Sequence, residues 1–265
     1  GLEGGEAPPL GMQRPMIAAQ RALRHVGRRW MTMPFPGIEK GMWPSPNARP
    51  LPRTAGGDGS GADELHLVFL EGGAGLGKAN ILWKLDKLGY RVHTDGFVRM
   101  CQENPAYPPD SSVMMLKWAG RMLSAIDDAQ EKSRQGLVRE NVVFFGRSFL
   151  SPAVYARGLP ISVYFRQMMG EVRQAHSTSM VLCSSEEYAV TQRLAGRLFD
   201  AKEGEREVRL TLGEDDAAFQ TAVSDSYQQL EQEGHFDAIL DTSSSKLGVA
   251  ALLHSLDINP APVKD

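Results

Sequence analysis

Leu65-His66-Leu67-Val68-Phe69-Leu70-Glu71-Gly72-Gly73-Ala74-Gly75-Leu76-Gly77-Lys78 is the stretch that decides the fold. Its first six residues form a short apolar run suited to a buried parallel strand. A glycine-rich turn follows, and a helical pattern begins around Ile81 and runs to Leu88. The Gly-x4-Gly-Lys spacing between a strand and a helix lets consecutive backbone N–H groups converge on phosphate oxygens. The helix N-terminus adds a favourable field, and Lys78 supplies a mobile positive charge. Residues Gly72, Gly73, Ala74, Gly75, Leu76, Gly77 and Lys78, with Ala79 and Asn80 after them, therefore form a candidate phosphate-binding loop.

Downstream, the pattern alternates. Tyr90-Arg91-Val92-His93 reads as a second strand, Val142-Val143-Phe144-Phe145 as a third, Met180-Val181-Leu182-Cys183 as a fourth and Ala238-Ile239-Leu240 as a fifth. Between the second and third strands, Met114, Met115, Trp118, Met122, Ala125, Ile126 and Ala129 recur at helical spacing from Val113 to Ser133. Strands alternating with helices imply an α/β fold, a five-stranded parallel sheet with helices on both faces. That domain is expected over residues 64–265.

Upstream lies a different composition. From Ala7 to Ile38 there is no acidic residue, whereas Arg14, Arg21, Arg24, Arg28 and Arg29 all fall inside. Met16, Ala19, Leu23, Val26 and Trp30 make an apolar stripe with most of the arginines opposite. This composition resembles a mitochondrial targeting segment. Pro34, Pro36, Pro44, Pro46, Pro50 and Pro52 punctuate the following stretch, and Gly56 to Gly61 reads as a linker. Residues 1–63 are thus expected to be an N-terminal arm, with an amphipathic helix and a Pro/Gly-rich linker, that docks through Phe35 and Trp43.

The whole chain has 29 Lys and Arg against 32 Asp and Glu, a formal charge of −3. Nothing in that balance points to nucleic acid or an anionic membrane as a direct partner. Cys101 and Cys183 are too few and too distant in sequence for a disulfide framework, and the six histidines lack ligand spacing, so no metal site is expected.

Further landmarks are Asp95 after the second strand, Gly146-Arg147-Ser148 after the third, and Gln192-Arg193-Leu194-Ala195-Gly196-Arg197 after the fourth. In this order, residues 64–245 resemble the deoxyribonucleoside kinase family and its thymidylate-kinase relatives. The resemblance implies that Asp95 stands where the family places its base toward a nucleoside hydroxyl. It likewise implies that Arg147 contacts phosphate and that Arg193 and Arg197 belong to a lid closing over it. The implied ligand is ATP, GTP or a deoxynucleotide.

Three departures accompany the resemblance. Ala79 replaces the Ser or Thr whose hydroxyl binds Mg²⁺, and Gly146 replaces the acid of the family's acidic-Arg-Ser motif. Counting back from Arg121 puts Met114 where nucleoside kinases read the base with glutamine. Mg²⁺-assisted transfer is therefore in doubt, Asp95 and Arg147 read as vestiges of catalysis, and the balance leans away from an active enzyme.

Among kinase-fold proteins of this kind, the chain is similar to the nucleoside-kinase-like accessory subunits of mitochondrial respiratory complex I. Those subunits also lack the terminal hydroxyl of the loop and carry a Gly-Met-Trp tract like Gly41-Met42-Trp43, although they keep the acid before Arg-Ser and are longer. The resemblance implies a place on the matrix side of the inner membrane, with neighbouring subunits as partners and only indirect membrane contact. An active mitochondrial deoxyribonucleoside or nucleoside monophosphate kinase and a mitoribosome-associated protein are the alternatives.

Overall fold

A computed structural model describes residues 65–94, 96–156 and 159–256. The expectations for the arm, including its helix, Phe35, Trp43 and the Gly41-Met42-Trp43 tract, lie outside the described residues, as does Asp95. The five strands foreseen all form: β1 (His66–Glu71), β2 (Arg91–His93), β3 (Val142–Phe145), β4 (Ser177–Ser184) and β5 (Ala238–Asp241). They make one parallel sheet in the order β2-β3-β1-β4-β5, with β1 at its centre.

Strand β1 explains the layering. Successive side chains point to opposite faces, so Leu67 and Phe69 enter one core while Val68 and Leu70 enter the other. The second core is covered by α1 (Lys78–Lys87), through Ile81, Leu82 and Leu85, and by α9 (Ser245–Ser255), through Leu252 and Leu253. The first core is larger. It is closed by α2 (Phe97–Glu103), α3 (Ser112–Arg134), α4 (Leu150–Tyr155), α5 (Ser162–Ala175) and α8 (Ala217–Gln232). Phe69 stacks on Phe145 at 4.9 Å between ring centres, pairing the two central strands through their side chains as well as their backbones.

Helix α3 begins where Ser111 accepts a hydrogen bond from Met114 N, 3.3 Å away, and it buries Met114, Trp118, Met122, Ile126 and Ala129 along one face. Two further helices, α6 (Glu187–Asp200) and α7 (Glu203–Thr211), follow β4 near the C-terminal edge of the sheet, and α7 packs against α2. The first helix starts at Lys78, three residues before the apolar periodicity does. Gly77 at φ 79° is its N-cap, so the glycine turn rather than the first apolar residue marks the boundary. Among the described residues no helix is long and apolar enough to cross a membrane.

Candidate functional site

The loop between β1 and α1 depends on glycine in two places. Gly72 has φ 122°, and a Cβ there would lie 2.6 Å from Leu76 Cδ1. Gly75 has φ 77°, and a Cβ there would press on Val190 and Leu194 of α6 at 3.0 Å. Only glycine combines this backbone with so close an approach. The loop consequently wraps tightly around the start of α1, and Lys78, 8% exposed, folds back over it. Its ammonium donates to the carbonyls of Gly72 at 2.8 Å and Gly73 at 2.7 Å. Ala79 and Asn80 stand exposed in the first turn of the helix.

Under the loop lies a group that the sequence reading did not single out. Glu71 is 0% exposed. Its Oε1 accepts from Ser148 N and Ser148 Oγ, both at 2.6 Å. Its Oε2 accepts from Ser151 Oγ at 2.7 Å and Tyr227 OH at 2.9 Å. Four donors thus converge on one carboxyl, as burial of so polar a group demands. Burial pushes the Tyr227 phenol well above its ordinary pKa, with Glu71 reinforcing the shift, so this hydroxyl remains a donor. An acidic residue closing an apolar strand run was the available signal in the sequence. What it bonds to was not visible there.

Arg147 joins this layer to the loop. Its Nη1 donates to Gly72 O at 2.7 Å and to Ser151 Oγ at 3.2 Å, while the guanidinium sits 5.3 Å from the Tyr155 ring centre and 6.0 Å from that of Trp118. Gly146 continues the sheet pattern, its N–H donating to His93 O at 2.8 Å. Burial behind the loop raises the Cys183 thiol to about 11, consistent with a reduced packing residue; Cys101, likewise free and buried, is pushed up to about 12.

The two arginines of α6 diverge. Arg193 binds the phosphate loop itself, donating through Nη1 to Gly75 O at 3.3 Å and through Nη2 to Thr242 O at 3.2 Å. Arg197 Nη2 pairs with Glu214 Oε1 at 3.2 Å, and Arg209 Nη1 meets the same oxygen at 2.9 Å. The helix is therefore fastened at one arginine to the loop and at the next to the turn between α7 and α8.

Beside the loop opens a cavity of about 350 Å³, lined by Ala74, Phe97, Trp118, Arg147, Arg197 and Glu214 among others. A second, of about 240 Å³, adjoins it at Thr94 and Arg147 and is lined also by His93, Arg121 and Phe145. Met114 lies fully buried in the apolar core and lines neither cavity. In this fold the residue has a packing role rather than one of presenting a side chain to a ligand.

A Mg²⁺ ion of the kind that organises phosphoryl transfer does not suit the described residues. Ala79 offers no hydroxyl, Gly146 no carboxylate, and the oxygens of Glu71 each already accept two hydrogen bonds in a fully buried position. The loop, by contrast, keeps a cation, Lys78, folded over the carbonyls of Gly72 and Gly73.

No protein-family model matches the chain, and no curated protein matches it. Solved structures similar to it include NadR protein in complex with NR, at 11% identity and a TM-score of 0.49, covering 77% of this chain and 55% of the other. Another is deoxyadenosine kinase from M.mycoides with products dCMP and dCDP bound, at 13% identity and 0.44, covering 72% and 98%. A third is NadR protein in complex with NAD and AMP-PNP, at 14% and 0.44, covering 76% and 52%. The chain spans about half the length of the NadR chains. The phosphate-loop kinase-like fold rests on the strand order and loop described above.

Proposed function

We propose that this chain is a kinase-fold protein that binds a nucleotide through its phosphate loop without transferring phosphate, and that it serves as an accessory subunit of a mitochondrial assembly, respiratory complex I (NADH:ubiquinone oxidoreductase). The observation that carries the first half is the contrast within a few residues of one strand end. The loop from Gly72 to Lys78 keeps the backbone and the cation that cradle phosphate, while Ala79 and Gly146 lack the groups that hold a metal and Glu71 is sealed beneath. An arriving phosphate would take the Lys78 ammonium away from the Gly72 and Gly73 carbonyls, exchanging two neutral acceptors for an anion. Without a metal clamp, charge developing on a transferred phosphoryl group is left largely uncompensated.

The second half is supported by the acid-free, arginine-bearing segment from Ala7 to Ile38 and by Gly41-Met42-Trp43. On this reading the chain lies on the matrix side of the inner membrane, held by neighbouring subunits. One observation favours a second reading, an active mitochondrial nucleoside or nucleotide kinase: Arg147 lines a cavity beside the loop that is large enough for a phosphate acceptor.

Calorimetry with ATP, GTP and deoxynucleotides, with and without Mg²⁺, tests the binding half. The expected result is affinity that barely responds to Mg²⁺ and falls at least tenfold in Lys78→Ala. An affinity that Lys78→Ala leaves unchanged would remove the basis of the proposal.

A further inference from the structure

Exposed apolar side chains scattered singly are ordinary on a folded surface, so their placement decides whether they mean anything. The two most exposed large apolar side chains among the described residues, Tyr188 at 75% and Phe199 at 82%, both belong to α6. Their separation in sequence is about 16 Å along a helix axis and only about 20° around it, so they share a face. Between them on that face come Gln192 and Ala195, flanked by Thr191 and Gly196, all exposed and none charged. A Cβ at Gly196 would meet nothing within 4 Å. The result is an uncharged strip with a ring at each end and the small Ala195 and Gly196 between, a shape into which the ridge of another helix packs.

The inner face of the same helix is fixed. Leu194 is buried, Gly75 of the loop abuts Val190 and Leu194, Arg193 donates to Gly75 O and Thr242 O, and Arg197 pairs with Glu214. The strip is therefore presented on a rigid element, and a partner meeting it does not have to order it first.

Its surroundings are acidic. Glu186 and Glu187 stand at the N-terminal end, with Asp200 and then Glu203 at the other; all four are exposed, and none forms an ion pair within the described residues. The exposed cations nearby are Lys202 and Arg206, and Arg206 is engaged with the carbonyls of Leu198 and Phe199, 2.9 Å from each. A second copy of the chain does not suit such a strip. The antiparallel pairing that sets Tyr188 against Phe199 of another copy also brings Glu187 level with Asp200, and a parallel pairing sets Glu187 against Glu187. Either arrangement places like charges together. An anionic membrane surface is repelled by the same acids.

We infer that the outer face of α6 is a docking surface for a helix of another protein, one that carries apolar side chains along its seam and Lys or Arg on its flanks. Tyr188 and Phe199 are the anchors, and Ala195 and Gly196 let the two backbones approach. The partner's cations meet Glu187 and Asp200, which sets register and orientation. A contact of one short helix is below the size of a stable interface by itself, so it orients a chain that other contacts already hold. It depends neither on nucleotide binding nor on the identity of the assembly.

The probe is a designed amphipathic helix about 20 residues long, with Leu along the seam and Lys on both flanks, together with a twin carrying Glu on the flanks. Binding of each to the full chain is followed by fluorescence anisotropy of a dye on the peptide. The Lys form is expected to bind at least about tenfold more tightly than the Glu form, with the difference shrinking as salt rises. Tyr188→Ala together with Phe199→Ala should weaken the Lys form about tenfold or more, the scale of lost anchor residues. The urea midpoint should stay unchanged, because both rings lie in water. Glu187→Gln together with Asp200→Asn should narrow the gap between the two peptides several-fold.

Twin peptides that bind alike, or binding indifferent to the two aromatic substitutions, overturn the inference. A urea midpoint that falls along with peptide binding shows that the rings pack within the fold, and this overturns it as well. Self-association in sedimentation velocity that the aromatic substitutions abolish assigns the strip to a second copy. Binding to vesicles of phosphatidylcholine and cardiolipin, abolished in the same way, assigns it to a membrane. Either of these results also overturns the inference.

Discussion

The hydroxyl of Tyr227 donates to Glu71 Oε2 at 2.9 Å, joining the eighth helix to the end of the central strand across 156 residues of sequence. The same carboxyl holds Ser148 and Ser151, so one buried group ties β1, the turn after β3, α4 and α8 into a single layer beneath the phosphate loop.

Glu71→Ala should therefore be among the most destabilising single substitutions in the domain. It strands four donors, each costing about 1–3 kcal/mol when left unsatisfied, with water and local repacking recovering part of the sum. A loss of about 3–5 kcal/mol in urea unfolding is expected. A loss below about 1 kcal/mol, the range of an ordinary surface change, would show that the network is dispensable.

Negligible phosphorylation of deoxynucleosides and nucleoside monophosphates is expected from the unmodified chain. Restoring Ala79→Thr alone should not create an efficient enzyme, because Gly146 still supplies no carboxylate. Measured turnover of about 1 to 100 per second, the usual kinase range, would replace the non-catalytic reading with the active one.

Stability should decline on mild acidification, and His93 identifies one cause. Burial, and secondarily the charge of Arg91, hold its pKa below the ordinary value. Below about pH 6.5 the unfolded chain takes up a proton that the folded chain refuses. Stability is therefore lost as pH falls from about 6.5 through the lowered folded value. His93→Phe should flatten that limb in urea midpoints measured at several pH values. His235, lowered for the same main reason, should keep a residual slope, and an unchanged profile would exclude His93 as a contributor.

Removing Arg193 should loosen α6. Its guanidinium bridges the loop at Gly75 and the end of the sheet at Thr242, and planar, directional donation of this kind is poorly reproduced by a lysine ammonium. Arg193→Ala and Arg193→Lys should both raise amide exchange across Glu187–Asp200 several-fold while leaving β1 protected. Rescue by lysine would point to charge alone.

Deleting residues 1–55 tests the docking proposal. The truncated chain is expected to keep its thermal stability and leave the large complex on native gels of mitochondrial extracts. A truncated chain that unfolds, with the full-length chain migrating as a free monomer, would defeat it.

Much of the architecture was legible because it is local. The run Leu67-Val68-Phe69-Leu70, the glycine turn and the apolar steps of α3 are patterns within a dozen or so residues, and their periods reflect strand and helix geometry directly. Boundaries were less so: α1 begins at Lys78 because Gly77 takes a left-handed conformation, a choice that apolar spacing does not register.

The sequence by itself determined the α/β alternation, the phosphate loop between β1 and α1, and the absence of a hydroxyl at Ala79 and of a carboxylate at Gly146. These are properties of residue identity and short spacing. Only the tertiary structure decided that Glu71 bonds to Ser148, Ser151 and Tyr227, that Arg197 turns to Glu214, and that Trp118 and Glu214 come to the wall of one cavity. The physical reason is range. Most of these partners lie many tens of residues apart in the chain, and which polar groups must satisfy one another follows from how the sheet and helices pack, after water has been excluded from between them.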